Sequence, residues 1–320
     1  MQLILLKKVT TNTTRFTMQL DNSNISKHLG QTSRYKSKYD PELLVREPRS
    51  SNRQHLGIVD SNLPFTGYDT WNAYEVSCLN ANGVPITGFA KITYPCSNAY
   101  IVESKSLKLY LNSFNMTYFT SNVRSDVYRL LENIIITDLS KLLETTVTCK
   151  IFAPTTSLGY VDVVEDSVDF ITLENMECNR DVECNVYSED AGLLISDGYN
   201  AQSVTEQKYH SSLLKSNCRV TSQPDWGDVY IYYKGSHSIN PSSLLKYIVS
   251  FRDECHFHEE ICETIYKRIS DKFAPHELTV TCLYVRRGGI DINPIRSSKE
   301  NNIYEVFTDP GVLFKKTARQ

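Results

Sequence analysis

The feature that most limits what this chain can fold into is an internal echo. Ser106-Leu-Lys-Leu-Tyr-Leu-Asn-Ser-Phe114 matches Ser243-Leu-Leu-Lys-Tyr-Ile-Val-Ser-Phe251 at five of nine positions, 137 residues later. Thr146-Val-Thr-Cys149 recurs as Thr279-Val-Thr-Cys282 at a shift of 133, and one amphipathic helical stretch lies between the members of each pair. Two copies of one supersecondary unit explain this better than a chance likeness of short apolar patterns. The first copy reads as strands over 71–79, 87–93 and 98–103, helices over 105–115 and 122–143, and a strand over 145–152. Asn82-Gly83 supplies a turn. Val127, Leu130, Leu131, Ile134, Ile135, Leu139 and Leu142 recur at helical spacing and mark the core face of the second helix. Runs of strands followed by paired helices predict an α+β fold, with two tandem modules that are each an antiparallel sheet carrying two helices on one face.

The chain divides around that repeat. Residues 1–45 form a polar extension, in which Met18 is a candidate start, and 46–155 hold the first module. Residues 156–200 carry eleven acidic side chains against Arg180 alone and read as a solvated connector; 201–320 hold the second module. The net charge of −3 gives no general pull toward nucleic acid or an anionic membrane, although the chain outside the connector is positive and suits a phosphate-bearing ligand. No stretch of about 18 apolar residues is present to span a bilayer. The Met1-Gln-Leu-Ile-Leu-Leu-Lys-Lys opening makes a poor signal peptide. Nine scattered cysteines, an odd number, point to a cytoplasmic protein with reduced thiols.

Neither module has a G-x-G-x-x-G or Walker loop, so a nucleotide cofactor would sit outside a Rossmann fold. Four clusters could carry chemistry. Cys218, seven residues before Asp225 in a Pro- and Gly-containing polar loop, is expected to keep its thiol accessible. In Cys255-His256-Phe257-His258-Glu259-Glu260-Ile-Cys262, positions 255, 258, 259 and 262 share a face if helical, which admits either zinc ligation or a functional His258–Glu259 pair. Glu260 and Glu263 read as a solvated face. In Glu103-Ser104-Lys105-Ser106-Leu-Lys108, Ser104 can cap a helix whose N-terminus favours an anion, and Lys105 and Lys108 form a phosphate-binding pair. The fourth is Arg286-Arg287-Gly288-Gly289, where two arginines enter a Gly-Gly turn between strands.

Together these clusters resemble the NADPH-dependent 7-cyano-7-deazaguanine reductases, the nitrile reductases of queuosine biosynthesis, in their long two-module form. Glu103-Ser-Lys-Ser-Leu-Lys-Leu-Tyr110 is similar to that family's signature. Cys218 with Gln223-Pro-Asp-Trp226 is similar to its nucleophile loop, and Phe257-His258-Glu259 and Arg287-Gly288 to its substrate and cofactor segments. The resemblance covers about 45–320 and implies a tandem tunnelling fold. It implies Cys218 as nucleophile and Asp225 as proton donor, with Val102, Glu103, Ser104, His258 and Glu259 lining the substrate pocket. It also implies that Ser104, Lys105, Arg287 and Gly288 contact NADPH, two of which are used per turnover, and that no metal is needed.

That set of residue types suits the reaction. Thiolate addition to a nitrile gives a thioimide, whose C=N can be protonated and then accepts hydride. Loss of the thiolate leaves an imine, and a second hydride gives the primary amine. Asp225 must exchange protons at nitrogen, which couples its titration to that of the thiol. Two rivals use fewer residues: a zinc-dependent tunnelling-fold cyclohydrolase or hydrolase acting on a purine or pterin through Cys255, His258 and Cys262, and a purine- or pterin-binding module without catalysis. The expected partners are the small deazaguanine substrate and a second copy of the chain in a homodimer, with neither nucleic acid nor membrane. Because each module lacks what the other holds, one composite site across the module interface is expected.

Overall fold

Stretches rich in Tyr, Val, Ile and Thr pair into one eight-stranded sheet. The structure, a computed structural model, describes residues 36, 38–154, 170–219 and 221–299; Met18 and the acidic side chains at 162, 165, 166 and 169 lie outside them. The first half contains β1 (Arg46–Pro48), α1 (Ser50–His55), the long hairpin of β2 (Thr66–Leu79) and β3 (Pro85–Pro95), and then β4 (Tyr100–Val102), α2 (Ser104–Ser113), α3 (Arg124–Leu143) and β5 (Thr148–Phe152). The connector contributes β6 (Ile171–Thr172) and β7 (Ser196–Tyr199). The second half runs β8 (Thr205–Asn217), β9 (Pro224–Gly235), β10 (His237–Ile239), α4 (Pro241–Val249), α5 (His258–Phe273), β11 (Glu277–Tyr284) and β12 (Ile290–Ser297).

Strand order in the large sheet is β5-β3-β2-β12-β11-β9-β8-β6, beside two small pairs, β1–β4 and β10–β7. The echo in the sequence is visible here. The order β5-β3-β2 recurs as β11-β9-β8, and in each half two helices separate the second of these strands in sequence from the third. The sequence predicted separate sheets; β12, which has no counterpart among the described residues of the first half, joins them instead. It pairs with β2 from Ile290↔Ala73 to Ser297↔Thr66 and with β11 on its other side, so neither module leaves an open edge at the seam. The sheet is antiparallel apart from the short β6–β8 pair.

Cross-strand partners share a face, so the register Ile290↔Ala73, Ile292↔Trp71 and Val280↔Arg296 sets both helix pairs on one face of the sheet. The first core joins Trp71 and Ile92 of the sheet to Leu107 and Tyr110 of α2 and to Val127, Leu131, Ile135 and Leu139 of α3; the second joins Val229 and Ile231 to Tyr247 of α4 and to Ile261, Ile265 and Ile269 of α5. Leu130 differs from expectation. It points to solvent, 37% exposed, while Val127, Leu131, Ile135 and Leu139 fill the core stripe. The halves interlock, because Leu56, Ile58, Phe65 and Cys96 join the second core while Ile290 and Ile292 join the first.

The segment expected to be a polar extension and the one expected to be a solvated connector are both packed in part. The Tyr39 ring stacks on Phe114 at 4.9 Å, Leu43 is buried, and the Val45 amide donates to Ser106 Oγ at 3.0 Å. The polar extension is therefore part of the fold before residue 45. In the connector, Leu173 and Leu194 are fully buried. Its carboxylates have local partners: Glu174 accepts from the Ser212 amide at 2.6 Å, and Glu189 from Arg268 Nε at 3.2 Å. No helix among the described residues is long and apolar enough to cross a membrane.

Candidate active site

Cys218 lies just past the end of β8, where the register Asn217↔Pro224 and Ser216↔Asp225 closes the β8–β9 hairpin. Its amide donates to the Gln223 carbonyl at 2.8 Å, and the Ser222 amide donates to the Cys218 carbonyl at 2.9 Å, with Ser222 in the left-handed region (φ 53). That turn, with Glu254 to His256 bonded alongside Asn217, leaves Cys218 only 8% exposed. The thiol is thus sheltered, contrary to the open loop the sequence suggested. Across the hairpin, Asp225 is buried with both carboxylate oxygens engaged. Oδ1 accepts from Arg287 Nη1 at 2.6 Å, and Oδ2 lies 3.4 Å from His258 Nε2.

His258 is the first residue of α5, and its ring stacks on Tyr284 at 3.8 Å with its buried Nδ1 lacking a partner. Phe257 is the N-cap, its amide donating to Glu260 Oε2 at 3.0 Å. Glu259 follows, 3% exposed, with Oε1 unpartnered. Burial first, and then the charge of Asp69, push its carboxyl up to about 8, against the pull of Arg49 and Arg296. One turn on, Glu263 accepts from Arg53 Nε at 3.0 Å and from Arg296 Nε at 3.1 Å. Arg296 also donates to Asp69 at 2.8 Å, and Asp69 in turn accepts from Arg49, which completes the chain. Glu260 meets Arg219 at 2.9 Å and His256 at 3.2 Å. Burial would lower the His256 imidazole, but bonds to Glu254 and Glu260 win and lift it to about 9. The solvated face expected for Glu260 and Glu263 is in fact the buried side of α5, held there by these cations.

The first half meets this group from the other side. Glu103, not Ser104, caps α2: its carboxylate accepts from the Lys105 amide at 3.0 Å and the Ser106 amide at 2.7 Å. The helix N-terminus is therefore filled by the chain's own carboxylate, and Ser104 is the first helical residue. Val102 ends β4, and its backbone bonds the Tyr94 hydroxyl, which burial and then Glu259 push well above its ordinary value. Val102 and Glu259 thus flank one phenol. Glu47 of β1 is pushed up by burial and then by Glu103, with Arg219 opposing and Glu260 adding. The charges of Glu103 and of Arg219, the neighbour of Cys218, therefore both act on the same carboxylate.

The Arg286–Gly289 turn links the two sides. Gly288 (φ 62) and Gly289 (φ 80) take the positive φ values that a tight hairpin between β11 and β12 needs. While Arg287 holds Asp225, the Gly288 carbonyl accepts from Lys108 Nζ at 2.5 Å. The turn thus joins the hairpin that carries Cys218 and Asp225 to the helix that begins at Ser104-Lys105.

The family of the nitrile reductase 7-cyano-7-deazaguanine reductase, N-terminal part, matches residues 35–151, and a QueF-like protein family matches 224–303. A relative from Rickettsia massiliae, named NADPH-dependent 7-cyano-7-deazaguanine reductase, is 41% identical over 273 residues, 85% of this chain and 93% of its own length. The chain belongs to this reductase family. Relatives of the same name from Colwellia psychrerythraea (41% over 271 residues, 84% of this chain and 91% of that one) and Desulfotalea psychrophila (39% over 278 residues, 87% and 95%) are similar over nearly the same span. In this member of the reductase family, sequence reasoning missed Arg49, Asp69 and Arg296, which surround Glu259. They lie up to 227 residues apart in pairing partners, and nothing local marks them.

A zinc site on α5 is not built. Cys255 precedes the helix, and Cys262 is fully buried against the Val280 and Pro294 carbonyls, its thiol pushed well up by burial. Cys255 therefore does not continue the α5 face that His258 and Cys262 share. Among the described residues, no group of three or more His, Cys, Asp or Glu is placed to hold a metal ion.

Proposed function

We propose that this chain reduces the nitrile of 7-cyano-7-deazaguanine to the aminomethyl group in queuosine tRNA modification, through a thioimide on Cys218. One observation carries this reading. The Arg287-Gly288 pair touches Asp225 of the second half and Lys108 of the first, so all four chemistry-bearing clusters meet in one place. That meeting is the composite site expected of tandem tunnelling-fold modules, which we take this fold to be.

Asp225 faces the loop of the nucleophile and exchanges protons as the thiol becomes a thiolate and the nitrogen becomes basic. His258 and Arg287 hold that carboxylate in place, and the stacked Tyr284 fixes the imidazole plane. Glu259, with an oxygen left without a partner in a buried setting, offers an acceptor to the N–H edge of a guanine-like base, and a base lacking that edge would leave it unpaired. Val102, Glu103 and Ser104 close the opposite wall. For NADPH, the fit rests on Lys108, Arg286 and Arg287 gathered about a glycine turn, with Lys105 one turn earlier on α2, cations suited to a pyrophosphate. Bound NADPH supplies the hydride, and two are consumed because nitrile to amine is a four-electron change. We further propose a cytoplasmic homodimer with no metal requirement.

The test is to mix full-length protein, NADPH and 7-cyano-7-deazaguanine and follow cofactor absorbance. Substrate-dependent oxidation of two NADPH per amine formed supports the reading. No oxidation in the presence of the nitrile, with NADPH bound, overturns it.

A further inference from the structure

Cys218 stands between two anchors on one segment. Before it, the Asn217 amide donates to the Glu254 carbonyl at 2.7 Å, and the His256 amide donates to the Asn217 carbonyl at 3.2 Å. After it, Arg219 Nη1 donates to Glu260 Oε1 at 2.9 Å, and the guanidinium lies 5.7 Å from the centre of the Phe257 ring. Consecutive Cα atoms are only about 3.8 Å apart. A backbone fixed at 217 and a side chain fixed at 219 therefore leave the residue between them little freedom. The segment that holds both ends, 254–260, also carries His258 and Glu259.

Glu260 is the buried carboxylate that makes the second anchor, and its two oxygens have different partners. Oε2 accepts from the Phe257 amide at 3.0 Å and lies 3.2 Å from His256 Nδ1, which fixes the first turn of α5. Oε1 is turned to Arg219. The Arg219 side chain is 39% exposed, and an ion pair with so open a cation adds little to stability. What the pair does set is a register. The nucleophile is tied to the same helical turn that carries His258, the neighbour of Asp225, and Glu259. The charge of Arg219 also opposes the rise in the Glu47 carboxyl of β1, so the first half bears on the same cation.

We infer that Arg219 is a positioning residue: paired with Glu260, it holds the Cys218 sulfur on line to the nitrile carbon while α5 holds the proton donor and the base. The step it serves is addition. The S–C bond forms, one π pair of the C≡N bond moves to nitrogen, and nitrogen takes, by way of Asp225, the proton that the thiol gave up. The rate of such a step depends steeply on placement, and a displacement of about 1 Å can cost roughly a hundredfold. This inference rests on the reading above, in which Cys218 attacks the nitrile, and it deepens that reading by naming what aims the thiol.

Adduct formation by the full chain with saturating 7-cyano-7-deazaguanine and no NADPH, timed by intact-mass spectrometry, should slow by about tenfold or more in Arg219→Ala. Arg219→Lys, which keeps the charge, should recover most of that loss. Glu260→Gln still accepts from the Phe257 amide; it should slow the step too, and in that background Arg219→Ala should cost less than in the parent. Two further readouts separate placement from other effects. Alkylation of Cys218 by iodoacetamide, mapped by peptide mass, reports the reactivity of the thiol rather than its aim and should change by less than about twofold. Calorimetric affinity for the nitrile, in a Cys218→Ala background that cannot form the adduct, should change as little with Arg219→Ala. Melting curves establish that each variant is folded. An unchanged adduct rate in Arg219→Ala, alkylation that slows in proportion, or single effects that simply add overturns the inference. A parent that never forms the adduct fails the reading above and takes this inference with it, whereas a parent that forms it while the variants keep pace overturns this inference alone.

Discussion

Replacing Glu259 by glutamine should make the folded protein more stable at alkaline pH while weakening its grip on the substrate. The Glu259 carboxyl titrates near 8 in the folded protein against 4.5 for an unperturbed glutamate, because it is buried and faces Asp69. Between those pH values the folded state keeps a proton that the unfolded chain has released, so stability falls as pH rises, by about 1.4 kcal/mol per pH unit from this group. Glutamine has the same shape and no proton to lose, which removes that slope. The folding free energy of Glu259→Gln, measured by urea unfolding at about pH 6 and about pH 8, should gain on the parent by roughly 2–3 kcal/mol over that interval. His256, lifted to about 9, contributes stability that is complete below about 6.5 and lost as pH rises through 9. It does so in both proteins and cancels in the comparison. Parallel pH dependences for parent and variant would refute the reasoning.

Asp225→Asn should still bind the deazaguanine nitrile but lower turnover by about 10²–10⁴-fold, the usual worth of a positioned acid or base; unchanged turnover, read as NADPH consumption, removes Asp225 from the mechanism. Glu263→Gln leaves the buried Arg53 and Arg296 short of a counter-charge, at a cost of about 3–5 kcal/mol, and calorimetry should show a melting point lower by roughly 2–4 °C per kcal/mol. Burial alone would raise the Glu263 carboxyl, but Arg296 and then Arg53 and Arg49 outweigh it and hold the group below its ordinary value, so its contribution is present above the ordinary glutamate range and lost on acidification through the lowered value. The variant should therefore approach the parent in acid. Fragments ending near 155 and starting near 200 should each be inactive, since β12 pairs with β2 and Phe65 and Cys96 sit in the other half's core; a second-half fragment with parent-like NADPH affinity and turnover contradicts this.

What the sequence disclosed was local. The matched segments at 106–114 and 243–251 are helices that begin the same way, and their periodicity shows which side chains face the sheet. The Arg287-Gly288-Gly289 turn was equally legible, because paired glycines at positive φ have few other uses. The long-range features were not legible. Nothing in the β12 residues says that their second edge goes to β2, 219 residues away at Asn72–Asp291. The Arg49–Asp69–Arg296–Glu263 chain is assembled only by that seam, so Glu263 read as a surface charge. The Cys218 loop misled for a related reason: its polar, turn-rich composition is that of an exposed loop, but the partners of its backbone lie at 254–256.

The central claim is that Cys218 attacks the nitrile, and intact-mass spectrometry tests it most directly. Protein incubated with 7-cyano-7-deazaguanine and no NADPH should gain the mass of one whole substrate molecule, because addition expels no leaving group. The gain should be absent from Cys218→Ala and present in Cys255→Ala and Cys262→Ala. An adduct that survives in Cys218→Ala, or a parent protein that reduces the nitrile yet never shows the added mass at saturating substrate, would contradict the account.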